Sequence, residues 1–155
     1  MRIQQSLPES QVKDAELAVS NAQDEFEKYR DGDAPNLFRL GEARIRVLEE
    51  QVPIAAERFA RTEVLFQNGH ATKSEVEADS LTLKREKLGL EQYQEDLRLI
   101  QKFDHPNKLR LLESNVQQAK SELSRVKLRL TNEAAQAAAD LRTSQKTLEV
   151  LEDSL

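Results

Sequence analysis

The residues that most often perform chemistry in proteins are few and scattered in this chain, which has 155 residues, two histidines and no cysteine. Without cysteine there can be no thiolate nucleophile, disulfide or thiolate zinc site. His70 and His105 belong to separate irregular segments with no cluster of further ligands around either, so we expect no metal site. Acidic residues are numerous, but no two are placed as acid and base catalysis requires. We therefore expect no catalytic residues, no cofactor and no enzymatic activity.

A different kind of chemistry, recognition of a protein surface, is possible where Arg61, Leu65 and Thr72 surround a tight turn at residues 68–71. Arg61 and Leu65 are one turn apart on the same face of a helix. Arginine offers a fork of hydrogen-bond donors, leucine an apolar contact and threonine a hydroxyl. Each also has an ordinary structural role: a solvated charge, a packing residue near the turn, and an N-cap that accepts from the amide of Glu75.

The overall composition is that of long exposed helices. Charged residues make up 33% of the chain and aromatic residues 5%, and there is no tryptophan. The formal net charge is -5, with both signs interleaved, so no basic stripe exists that could neutralise nucleic-acid phosphates. We expect no nucleic-acid partner. Because no run of about 18 apolar residues is present, a membrane anchor or signal of a parent protein would have to lie in a segment absent from this chain.

Four segments have apolar residues at alternating steps of three and four, as helices do when they pack along a heptad seam. The first helix covers about residues 11–30, and the capping-box spacing of Ser6 and Glu9 marks its start. The second covers 36–68, with a kink rather than an end at Pro53. The third runs from Thr72 to near residue 101, and the fourth from about residue 107 to the C-terminus. The seam of the second helix is Phe38, Gly41, Ile45, Leu48, Val52, Ala55, Phe59, Thr62 and Phe66.

The two halves of the chain are nearly mirror images about residue 70. Folding there pairs residues whose numbers add up to about 140, and it aligns two similar segments, Asp33-Ala34-Pro35-Asn36 and Asp104-His105-Pro106-Asn107. The prediction is an all-α fold, a long antiparallel coiled-coil helical hairpin with helix breaks near 31–35 and 102–106. It forms a single domain with an ascending arm 9–68, a tip 69–71 and a descending arm 72–155.

A four-helix bundle would result if the chain instead reversed direction at each break, but much of the last helix would then be unmatched. In the hairpin, residues beyond about 140 have no partner within the chain, although the seam there stays apolar. We expect an upstream segment of a parent protein, or another copy of the chain, to cover these residues. They are Leu141, Leu148, Leu151 and Leu155.

The spacing of Arg61, Leu65 and Thr72 resembles the tip motif of periplasmic adaptor proteins, also called membrane fusion proteins of the HlyD type. In that family the pattern is arginine, three residues, leucine, six residues and serine, at the end of an α-helical hairpin. Threonine stands here at the serine position. The resemblance also includes Gly69 in the turn, and further residues lie at both breaks. These are the pairs Lys28-Tyr29 and Lys102-Phe103 and both Asp-x-Pro-Asn segments.

The resemblance implies a non-catalytic hairpin that spans the periplasm in a tripartite efflux or type I secretion system. Its tip, with Arg61, Leu65 and Thr72, would dock to an outer-membrane duct of the TolC type. Domains that this chain lacks would bind an inner-membrane transporter, and the full-length protein would form a homo-oligomeric ring. The parent protein would be periplasmic and anchored in the inner membrane. The hairpin would be excised from between β-domains, for which this chain has no strand pattern.

A cytosolic coiled-coil or spectrin-like interaction module remains the alternative, because its heptads would look the same. The complete reading frame would distinguish the two hypotheses. An N-terminal anchor or signal and β-rich segments on both sides would favour export.

Overall fold

The computed structural model describes the backbone of residues 3–154 and the side chains of residues 7–154. The fold is an all-α helical hairpin, and the described backbone contains no strand. Its elements are the helices α1 (Ile3–Lys28), α2 (Ala34–Gln67), α3 (Lys73–Leu99) and α4 (His105–Asp153), with π-helical segments at Tyr29–Asp33 and Ile100–Asp104. Contacts group them into two compact units, residues 28–110 and residues 1–27 with 111–155.

The unit of residues 28–110 is built on α2 and α3, which pack against each other as an antiparallel pair. A Cβ added to Gly41 would lie 3.0 Å from the side chain of Leu97, and one added to Gly89 would lie 3.9 Å from Leu48. The residue numbers of these facing partners add up to about 138, close to the predicted total of about 140. The predicted fold about residue 70 is therefore confirmed in this unit, and α2 continues through Pro53.

The chain leaves α-helical geometry near both predicted breaks, at Tyr29–Asp33 and Ile100–Asp104, where a π-helical turn interrupts the α-helix without ending it. At each break one helical turn is wider: the amide of Ala34 donates to the carbonyl of Tyr29, and that of His105 to Ile100, five residues back. A proline follows both donors, at residues 35 and 106. Proline has no N–H and its ring clashes with the carbonyl four residues earlier. We attribute the wider turn to displacement of that carbonyl. Without a reversal at either break, the four-helix bundle is excluded.

Aromatic side chains join the two arms of this unit beside the π-helical segments. The hydroxyl of Tyr29 lies 3.2 Å from Nδ1 of His105, and the ring of Phe38 meets the imidazole edge to face at 5.1 Å between centroids. The ammonium of Lys108 lies 5.2 Å from the centre of the Tyr29 ring. His105 thus serves as a packing residue between the arms.

In the other unit, α1 packs against the first part of α4. Leu112, Val116 and Val126 of α4 are buried there, and Nη2 of Arg129 donates to Oε1 of Gln11 at 2.8 Å. From residue 131 to residue 154 every side chain is exposed. The exposure of the seam beyond residue 140 was predicted, and it begins ten residues earlier than expected.

The first helix starts before the predicted position. α1 begins at Ile3, whereas Ser6 and Glu9 indicated a start at a capping box. The side chain of Ser6 lies outside the described residues. Pro8 lies inside α1, two residues beyond the first four positions, whose N–H groups have no helical partner, so its missing N–H removes one helical hydrogen bond.

Candidate docking site at the hairpin tip

Backbone hydrogen bonds fix the turn at the end of α2. The amide of His70 donates to the carbonyl of Leu65 at 2.8 Å, and the amide of Gly69 donates to the carbonyl of Phe66 at 3.0 Å. These are the two bonds of a Schellman motif, which requires a left-handed residue after the C-cap. Gly69 is that residue, with a φ of 79°. The turn predicted from Asn68-Gly69 is therefore confirmed and has one defined conformation.

A capping box starts α3 on the other side of the turn. The amide of Glu75 donates to the hydroxyl oxygen of Thr72 at 3.2 Å, and the amide of Thr72 donates to Oε2 of Glu75 at 2.7 Å. The Thr72 hydroxyl also donates to Oε2 of Glu75 at 3.1 Å. The N-cap role predicted for Thr72 is confirmed. Because its hydroxyl proton is already used, Thr72 can offer a partner its remaining lone pair and its methyl group.

Arg61 is exposed on α2, two turns from the end of the helix. Its Nη2 lies 3.2 Å from Oε1 of Glu57 in an ion pair of two largely exposed side chains. Exposed pairs at this spacing contribute only about 0.3 to 0.5 kcal/mol. A partner carboxylate could therefore replace Glu57 at little cost, and the other guanidinium donors stay available to a partner.

Apolar side chains are exposed beside Arg61 along the last turn of α2. Leu65 retains 41% of its accessible surface, and Val64 and Phe66 are more exposed still. The assignment of Phe66 to the seam was wrong, because its side chain retains 44% of its accessible surface. Three consecutive exposed apolar side chains are unusual on a surface this rich in charge, and such patches mark interaction sites.

Below the tip a carboxylate joins the two helices, an interaction that the sequence analysis missed. The hydroxyl of Thr62 donates to Oδ2 of Asp79 at 2.6 Å, and Nε of Arg58 lies 3.1 Å from Oδ1. Only 12% of the Asp79 side chain is exposed. The signal was a polar residue, Thr62, at a seam position, which in a buried setting requires a hydrogen-bond partner on the facing helix.

The tip thus has two kinds of residue. Gly69 and Thr72 set the path of the backbone and Asp79 holds α2 to α3, whereas Arg61 and Leu65 project from this frame without a structural task of comparable weight. The predicted site residues Arg61, Leu65 and Thr72 all lie at this one end of the α2–α3 pair. The arrangement suits recognition of a protein surface, through an arginine fork beside an apolar patch.

No group of three or more metal-ligating side chains occurs among residues 7–154, and no described helix is long and apolar enough to cross a membrane. Comparison with known proteins gave no matching family model, no matching curated protein and no matching solved structure.

Proposed function

We propose that this chain is the non-catalytic hairpin of a periplasmic adaptor, and that its tip docks to an outer-membrane duct of the TolC type. The observation that carries the proposal is the exposure of Arg61 and Leu65 at the spacing of the adaptor tip motif, beside a turn whose backbone is fixed. A docking residue on a fixed frame loses little conformational entropy on binding, which favours affinity.

In this proposal the parent protein is anchored in the inner membrane, lies in the periplasm, contacts an inner-membrane transporter through domains outside this chain, and forms a homo-oligomeric ring. The hairpin then serves as the spacer that carries the tip to the duct. Docking through a small arginine and leucine patch is weak for one hairpin, and several copies in a ring strengthen it by multivalency.

Docking is tested by Arg61→Asp and, separately, Leu65→Asp, measured as binding to a purified outer-membrane duct of the TolC type. We expect each variant to bind about tenfold more weakly or worse, the equivalent of 1.4 kcal/mol or more. The matched controls are Arg46→Asp and Leu128→Asp, which place the same charge at exposed positions away from the tip. Circular dichroism of every variant separates lost docking from lost helix. Unchanged binding by both tip variants would reject the docking role.

The position of Thr72 gives a second, finer test. Thr72→Ser restores the serine of the family pattern and keeps both capping-box hydrogen bonds, so it should bind the duct as tightly as the natural chain. Thr72→Ala removes the N-cap and should lower stability by about 1 kcal/mol. Weaker binding by Thr72→Ser at unchanged stability would show that the methyl group contacts the duct.

A further inference from the structure

Two apolar stripes lie on the surface of the unit of residues 28–110, outside the seam that α2 and α3 share. The first, on α2, consists of Leu40, Val47 and Ile54, and the second, on α3, of Leu81 and Leu88. All five side chains are exposed, from 48% at Leu81 to 66% at Ile54. Within each stripe the residues are seven apart, so each is a straight line along one helix face. Single exposed aliphatic residues need no explanation, but two aligned rows do.

The stripes lie on different flanks of the pair. In a heptad with Phe38 and Ile45 at position a, the α2 stripe is at position c, next to the g residues. In the α3 heptad with Val76 and Leu83 at a, the second stripe is at f, which points away from the seam. A shallow groove beside the first stripe is lined by Leu40, Ala43, Arg44, Val47, Leu48 and Tyr93. Another, beside the second, is lined by Phe59, Val76, Glu77, Ser80, Leu81 and Lys84.

The stripes also lie at the same distance from the tip. Gly41 faces Leu97 and Leu48 faces Gly89, and by this register Val47 is within one turn of the level of Leu88, and Ile54 within one turn of Leu81. A second copy placed alongside, with its tip pointing the same way, would bring its α3 stripe against the α2 stripe of the first. The two helices in contact would then run antiparallel, as α2 and α3 do within one chain.

Charge between the stripe residues fits the same arrangement. Glu50 lies three residues after Val47 on α2, and Lys84 lies three residues after Leu81 on α3. Both charged side chains are exposed. When the stripes meet in this register, Glu50 of one copy faces Lys84 of the next. Opposite charges across an interface fix its register more than they add affinity.

We propose that the α2 stripe of one copy binds the α3 stripe of the next, so that hairpins pack side by side in one direction. Because the two surfaces differ, the contact is heterologous, and a pair of copies still has one free stripe of each kind. Further copies can therefore add to form a ring or an open row, whereas two copies alone do not close. Five aliphatic side chains make a small interface, so one contact is weak and repeated contacts are needed. This inference deepens the ring of the proposed function by naming its contact faces, and it can be tested without the duct.

The chain has no cysteine, so disulfide cross-linking can test the contact without a native thiol in the way. In the double variant with Val47→Cys and Leu88→Cys, mild oxidation should give a ladder of dimers, trimers and larger species, joined between the introduced thiols at positions 47 and 88. Either single variant has one thiol per chain and can form no disulfide-linked species larger than a dimer. A double variant with Val47→Cys and Leu128→Cys is the matched control, because Leu128 is 62% exposed and Leu88 is 64% exposed.

Three results would overturn the proposal: an equal ladder from the control, dimers from either single variant as abundant as the ladder, or a bond between residues 47 and 88 of one chain. Peptide mapping identifies which bond formed.

Charge variants in the double-cysteine background give an independent check that leaves the stripes intact. Glu50→Lys and Lys84→Glu should each slow cross-linking and the two together should restore it, whereas additive slowing would contradict the proposed register. Tip docking that persists when the ladder is absent would leave the proposed function standing.

Discussion

The first and second parts of α4 have the same heptad pattern, but their seam residues are buried or half-buried in the first part and exposed in the second. In the first part, Val116 retains 7% of its accessible surface, whereas in the second part Leu148 retains 59%. Both are aliphatic residues at seam positions of one continuous helix. The difference is that α1 faces the first part and no described residue covers the second. A heptad seam therefore predicts which face of a helix can pack against another helix. Whether that face is buried depends on the presence of a partner segment.

The largest effect on stability is expected from replacing one leucine in each part of α4. Leu112→Ala removes a buried side chain and should lower the free energy of unfolding by about 2 to 5 kcal/mol. Leu148→Ala should change it by no more than about 0.5 kcal/mol, because the side chain is exposed and alanine and leucine have similar helix propensities. Urea denaturation followed by circular dichroism at low protein concentration measures both.

Equal losses from the two variants would mean that the end of α4 is covered in solution. If the loss at Leu148 grows with protein concentration, the cover is another copy of the chain. A loss independent of concentration would contradict the described exposure of the helix.

The pairing of α2 with α3 depends in turn on the backbone of the tip, and two glycines test this. Gly69→Ala forces a side chain into the left-handed region and should lower stability by about 1 to 2 kcal/mol. Gly32→Ala should raise stability by about 0.5 to 1 kcal/mol, because alanine is the better helix former and a Cβ there meets no atom within 4 Å. Thermal unfolding of the two variants should thus shift in opposite directions. A loss at Gly32 as large as that at Gly69 would show that the π-helical segment needs the glycine.

The sequence was most informative where one local rule acts alone. Alternating steps of three and four located the helices, and Gly69, Thr72 and Glu75 located the turn, since a Schellman motif and a capping box each need only a few adjacent residues. The two prolines located the irregularities but not their form, because ending a helix and widening one turn both relieve the same clash. Asp79 could not be found from local spacing, since its partners Arg58 and Thr62 are on the facing helix.

Only part of the candidate docking site could be predicted from local sequence rules. The N-cap role of Thr72 followed from its position. The spacing also placed Phe66 in the seam, whereas Phe66 and Leu65 are exposed to similar extents, 44% and 41%. The sequence shows the stripes on α2 and α3 only as aliphatic residues seven apart. Their relation to each other depends on the register of the two helices, which places the stripes at the same distance from the tip.

Tyr29 allows the smallest of these differences between packed and open parts of the chain to be measured, because the pKa of its phenol depends on its burial. Burial raises the pKa of Tyr29 above its usual value of 10.0, and the carboxylates of Asp104 and Asp33 raise it further. In Tyr93→Phe the only tyrosine left is Tyr29, so tyrosinate absorbance follows that one group. We expect a midpoint above 10.0 for the folded protein and about 10 in denaturant. Asp104→Asn should lower the folded midpoint.

The same shift predicts how stability depends on pH. Because the folded pKa is the higher one, the contribution of Tyr29 is intact below the unfolded pKa and is lost as the pH rises through the folded pKa. The free energy of unfolding should therefore fall across this alkaline window, and Tyr29→Phe should remove this part of the fall. A folded midpoint at or below the denatured one would show that Tyr29 is open to water, and that packing between the arms stops before the π-helical segments.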